Sequence, residues 1–88
     1  MVVKIPVIVR YSFDRDTPVW LFDTEEEACT EIKKQFDEEV RIDTEETGHV
    51  IGEDMEIELA GDNSYAKITI WFDGEENITE WFVGDIRN

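Results

Sequence analysis

The 88 residues allow one domain, and 23 Asp and Glu against 8 Lys and Arg give a formal net charge of -15 with a pI near 4.1. That balance excludes a phosphate-neutralising nucleic-acid surface and a binder of anionic membranes, while 41% hydrophobic content with 3 Trp, 5 Phe and 2 Tyr excludes disorder. No stretch reaches the ~20 apolar residues of a membrane span and Met-Val-Val-Lys lacks a signal-peptide pattern, so a cytoplasmic protein is expected.

From Val3 to Phe13 every odd position is apolar (Val3, Ile5, Val7, Val9, Tyr11, Phe13), while Lys4, Arg10 and Ser12 hold even ones. This period of two predicts a strand with one buried face. Pro6 cannot donate a ladder hydrogen bond, which favours an edge position or an outward-facing backbone nitrogen. Asp14-Arg-Asp-Thr-Pro18 is turn-like, so Val19 to Phe22 returns as the second strand of a hairpin.

Thr24 followed by Glu25, Glu26 and Glu27 forms a capping box at a helix start, with three carboxylates at the positive end of the helix dipole. Ala28, Ile32, Phe36 and Val40 recur every four residues with Cys29 alongside, so a helix from about Glu25 to the early forties buries one stripe. Gly48 is the natural terminator, with fraying from Asp43 onward. After a loop around His49 to Asp54, Met55, Ile57 and Leu59 alternate as a third strand, and Gly61-Asp62-Asn63 reverses the chain. Tyr65 to Phe72 is the clearest strand. Asp73-Gly74-Glu75-Glu76-Asn77 then connects to a last strand, Ile78 to Val83, ending near Gly84. The fold class is α+β: one domain over residues 1–88, in the order β-β-α-β-β-β, with a mostly antiparallel sheet and one helix packed on one face.

Charge is distributed by segment. Residues 1–22 hold three bases against two acids, while residues 23–88 hold the other 21 acids and five bases. A folded chain of this mass exposes roughly 5,400 Å², about one net charge per 360 Å², too dilute on average to imitate the phosphates of a duplex. Local concentration would be needed. On the outward helix face, Lys34 and Arg41 interrupt the glutamates, and Lys34–Glu38, Asp37–Arg41 and Arg41–Glu45 have the spacing of solvated i,i+4 pairs. A better anionic surface combines Glu25 to Glu27 with Glu53 to Glu58 and the Asp73 to Glu76 turn, provided the fold gathers them. One helix covers only one sheet face, so Trp20, Trp71 and Trp81 are more than the core needs. They either mark an interface or pair across strands to shield the open face, as aromatic pairs commonly do.

Catalytic equipment is hard to find. Cys29 lies on or beside the buried stripe and is expected to be a small core residue. His49, the only histidine, has no second His or Cys for a zinc site and reads as a loop or capping residue. Asp14-x-Asp16 and Asp73-Gly-Glu-Glu-Asn77 are fragments of a calcium loop lacking its glycine and closing glutamate. No metal or other cofactor is expected. Asn77-Ile-Thr79 matches a glycosylation sequon, without meaning in a chain expected to remain in the cytoplasm.

Val-Arg-Tyr-Ser-Phe-Asp, Leu-Phe-Asp-Thr-Glu-Glu-Glu-Ala, Tyr-Ala-Lys-Ile-Thr and Thr-Glu-Trp before Gly-Asp-Ile together resemble a set of small, acidic, uncharacterised proteins of gut bacteria and their mobile elements, over residues 7–86. That resemblance implies no activity, cofactor or binding residue. The expected function is a non-enzymatic acidic protein that engages a basic partner protein. Its candidate contacts are Glu25, Glu26, Glu27, Glu75 and Glu76, with Trp71 and Trp81 as interface anchors. No direct nucleic-acid or membrane partner is expected, and self-association through the exposed sheet face is the other partner option. Two alternatives stand beside it: a nucleic-acid mimic that inhibits a DNA- or RNA-binding enzyme such as a host-defence nuclease, and, more remotely, a small carboxylate-dependent enzyme. The last requires a cleft with converging carboxylates of perturbed pKa.

Overall fold

The computed structural model describes residues 4–84. Val3 and the Asp85-Ile86 end of the resembling segment lie outside them. The elements follow the expected order: β1 (Ile5–Tyr11), β2 (Val19–Phe22), α1 (Glu25–Arg41), β3 (Met55–Leu59), β4 (Tyr65–Phe72) and β5 (Glu75–Val83). The five strands form one sheet in the order β2-β1-β5-β4-β3, every neighbouring pair antiparallel.

Period-two alternation fixes which residues the helix covers. Ile5, Val7, Val9 and Tyr11 of β1 share a face with Met55, Ile57 and Leu59 of β3 and with Ala66, Ile68, Ile70 and Phe72 of β4, because register places like parity side by side. α1 lies across that face and buries Ala28, Ile32 and Phe36 against Val7, Val9, Met55, Ala66, Ile68 and Trp81. Full burial of each large apolar side chain contributes about 1.5–3 kcal/mol. Thr24 caps the helix, its hydroxyl accepting the Glu27 N–H at 3.1 Å.

Three details depart from expectation. Pro6 is on the second strand, not an edge: its carbonyl accepts from Gly84 N–H at 2.9 Å, so its missing donor faces the point where β5 ends and breaks no ladder. Glu75, Glu76 and Asn77 are strand residues, because the β4–β5 reversal takes only Asp73 (φ 54°) and Gly74 (φ 77°), both left-handed as a two-residue hairpin turn requires. The helix does not fray at Asp43 but continues through residues 42–46 as one π turn, closed by Thr47 N–H donating to Ile42 O at 3.1 Å. Threonine hydroxyls account for the widening: Thr44 bonds the Val40 carbonyl at 2.8 Å and Thr47 that of Asp43 at 2.7 Å, competing with the α-type ladder.

The face away from the helix is half-covered by its own side chains. Register aligns Arg10, Glu80, Lys67 and Glu58 across four strands, a row of alternating sign. Arg10 donates to Glu80 at 3.2 Å, as does the Tyr65 hydroxyl at 2.9 Å, and the Arg10 guanidinium lies 5.5 Å from the Phe82 ring centre. Burial, then the Glu80 hydrogen bond and charge, pushes the Tyr65 phenol up to about 12.

Candidate functional site

The sheet sends the acidic segments to opposite ends. β4 runs from Tyr65, beside the Asp62 turn, to Phe72 at the β4–β5 hairpin. Glu25 and Glu26 of the helix start border one depression with Asp62, whereas Asp43 and Thr47 of the helix end border another with Phe72 and Asn77. Glu25, Glu26 and Glu27 are therefore separated from Glu75 and Glu76 by the length of β4, at opposite ends of the sheet. The gathering of all three acidic runs on one face does not occur.

What does converge is the hairpin end. Trp71 lies opposite Glu76 and Phe72 opposite Glu75 in the β4–β5 register, and Trp71 N–H donates to Asp54 O at 2.9 Å, bringing the Glu53–Asp54 loop alongside. Phe72 is 62% exposed, Phe13 60% and Trp71 39%. Between the helix end and the sheet runs an open groove of about 440 Å³, floored by Ile70, Phe72 and Phe13 and walled by Glu39, Asp43 and His49.

The groove wall is a chain of polar groups. His49 N–H donates to Asp43 O at 2.9 Å, and His49 Nδ1 lies 2.9 Å from Asp54 Oδ2. The Asp54 carboxylate also accepts the Val50 N–H at 2.7 Å, and these bonds, that of His49 first, hold its pKa below the ordinary value. Glu39 and Asp43, one helical turn apart, are both pushed upward. Burial is the main cause for each; the Asp43 charge adds to it at Glu39, while His49 and Glu39 oppose it at Asp43. Bases at this end are Arg15 in the β1–β2 loop and Arg41, already engaged by Glu38 at 2.6 Å and by Glu45 and Glu46 beyond.

Of the residues singled out from sequence, the structure brings Glu75, Glu76 and Trp71 to one hairpin, with Trp71 and Glu76 on the open face of the sheet and Glu75 on the helix face. Trp81 is a correction: at 3% exposure it is a core side chain, edge-on to Phe36 with ring centres 6.1 Å apart, its Nε1–H donating to Gln35 at 3.1 Å. Register with Val9 and Ala66 places it under the helix, so it cannot anchor a surface contact. On the outward helix face, Arg41–Glu45 forms as expected, but Lys33 takes Asp37 and Arg41 takes Glu38, in place of Lys34–Glu38 and Asp37–Arg41. Cys29 is half-buried beside the stripe, its thiol pushed up by burial and then by Asp62 and Glu25. Phe13, Phe72, Glu39 and Asp43 escaped the sequence. One signal was present: Asp43 extends the Ala28-Ile32-Phe36-Val40 stripe by three residues, a carboxylate at an apolar position, and it is 7% exposed.

Among the described residues no group of three or more His, Cys, Asp and Glu side chains is placed to hold a metal ion, and no helix is long and apolar enough to cross a membrane. Compared with known protein families, characterised proteins and solved structures, the chain matches none.

Proposed function

We propose that this protein is a non-enzymatic binding module that engages a basic partner protein through the β4–β5 hairpin end and the groove beside it. The observation that carries this reading is the pairing of exposed aromatics with carboxylates on the helix side of the hairpin: Phe72 beside Glu75, and Phe72 and Phe13 facing Glu39 and Asp43 across the groove, while Trp71 and Glu76 pair on the opposite face of the same hairpin. Apolar anchors within a charged rim are what a protein interface requires, and the sign of the rim selects a cationic partner. A lysine or arginine side chain lies with its alkyl stem on Ile70 and Phe72 and its charged head at Glu39 and Asp43.

Titration of the isotope-labelled protein with a short peptide bearing Arg and Leu tests this. Chemical-shift changes are expected at Ile70, Phe72 and Glu39, weakening as salt is raised. Changes centred on Glu25 to Glu27, or binding indifferent to salt, overturn it. A second reading, a small carboxylate-dependent enzyme, has the adjoining Glu39 and Asp43 carboxyls in its favour, both shifted upward beside an apolar floor. Hydrolysis of glycoside or ester substrates that disappears in Asp43→Asn would transfer the assignment to it.

A further inference from the structure

The two sheet edges are built differently. β3, at one edge, carries Glu56 and Glu58 on its open face, where like charges oppose pairing with a second β3. β2, at the other, is Val-Trp-Leu-Phe with no charge, and Val19 is 51%, Trp20 40% and Leu21 62% exposed. Its backbone orientation follows from one bond: Val9 N–H donates to Pro18 O at 3.0 Å, so Pro18, Trp20 and Phe22 face β1 and the N–H and C=O of Val19 and Leu21 face outward. The side chains of Val19 and Leu21 continue, across Pro6 and Ile8, into the half-buried ring of Phe82 on the open face.

We infer that β2 is a self-association edge, pairing antiparallel with β2 of a second copy about a two-fold axis at Trp20. In that register Val19 lies opposite Leu21 of the other copy and Leu21 opposite Val19. The four outward donors and acceptors on each strand are then all satisfied, and the two Trp20 rings meet across the axis on the helix side of the continuous sheet. Charge favours a second copy at this edge: β2 itself is uncharged and residues 1–22 hold three bases against two acids, whereas residues 23–88 hold 21 acids and five bases, so two molecules of net charge -15 repel least here. Asp23, already paired with Lys4, falls opposite the uncharged Thr17 of the other copy.

The signature is a salt response opposite to that of a basic partner. Screening weakens binding of a cationic partner but relieves repulsion between two acidic copies, so the dimer fraction rises with sodium chloride. Sedimentation equilibrium of the full chain is expected to give twice the monomer mass at high salt, and Leu21→Lys or Val19→Lys to return it to the monomer mass. Amide exchange at Val19 and Leu21 in the wild type is expected to slow as protein concentration rises, which tests the edge without any substitution. A wild-type chain monomeric at millimolar concentration in high salt, a dimer undiminished by both substitutions, or a dimer whose Val19 and Leu21 amides exchange as fast as on dilution, overturns the inference. None of these outcomes depends on the groove.

Discussion

Trp81 and Glu39 show how much a single side chain's meaning depends on what packs on it. Trp81 fills the space between β1, β4 and the helix, and its one polar atom is satisfied by Gln35. Truncation to alanine removes both, and Trp81→Ala is expected to cost about 3–5 kcal/mol, read as a large fall in the thermal midpoint. Glu39 is the opposite case, a carboxylate held near another where burial already disfavours charge. Glu39→Gln keeps a hydrogen-bonding group and removes the repulsion. It should stabilise by about 0.5 kcal/mol at neutral pH, a rise of ~2–4 °C in the midpoint that disappears in acid once the carboxyls are protonated. Neither position could be assigned from its neighbours. β5 carries apolar residues on both parities, Ile78 and Phe82 against Trp81 and Val83, so alternation alone does not say which set faces the helix.

At the level of elements the local rules were largely sufficient. Thr24 and the four-residue apolar spacing mark the helix because a side-chain cap and one buried stripe are properties of ten or so consecutive residues. Thr24→Ala is expected to cost about 1 kcal/mol, seen as a lower urea midpoint at unchanged slope. Gly74→Ala should cost a similar ~1 kcal/mol for a different reason. No atom outside the adjoining residues lies within 4 Å of the added methyl, so the penalty comes from φ of +77°. The π turn at residues 42–46 was not legible, because it depends on whether Thr44 and Thr47 turn inward to the carbonyls or outward to water.

For the whole molecule, the sum of charges sets the response to salt and acid. Repulsion among carboxylates at both ends is screened by added salt, so the thermal midpoint is expected to rise with sodium chloride. The pH dependence has two opposing parts. Glu39 and Asp43, with folded values raised, destabilise the fold at neutral pH, and that penalty is relieved as pH falls through those values. Glu38, Asp54 and Asp62, held down first by hydrogen bonds from Arg41, His49 and Ser64, contribute stability that is lost as pH falls through their lowered values. Stability should therefore rise as pH falls from neutrality toward the ordinary carboxylate range and decline again below it, and a monotonic decline from pH 8 downward in thermal melts would contradict this.

The elements, their order and the α+β class follow from local pattern, because period, caps and turns are short-range properties of a chain. The sequence alone also makes charge segmental, with a near-neutral first hairpin. Which acidic segments meet is set by long-range strand pairing. The antiparallel register of β4 and β5 carries Glu75 and Glu76 to the end of the sheet opposite Glu25 to Glu27, and a helix that crosses one face leaves Phe13, Phe72 and Trp71 exposed at the hairpin while covering Trp81. Those outcomes depend on pairing between residues far apart in sequence, which no local pattern encodes.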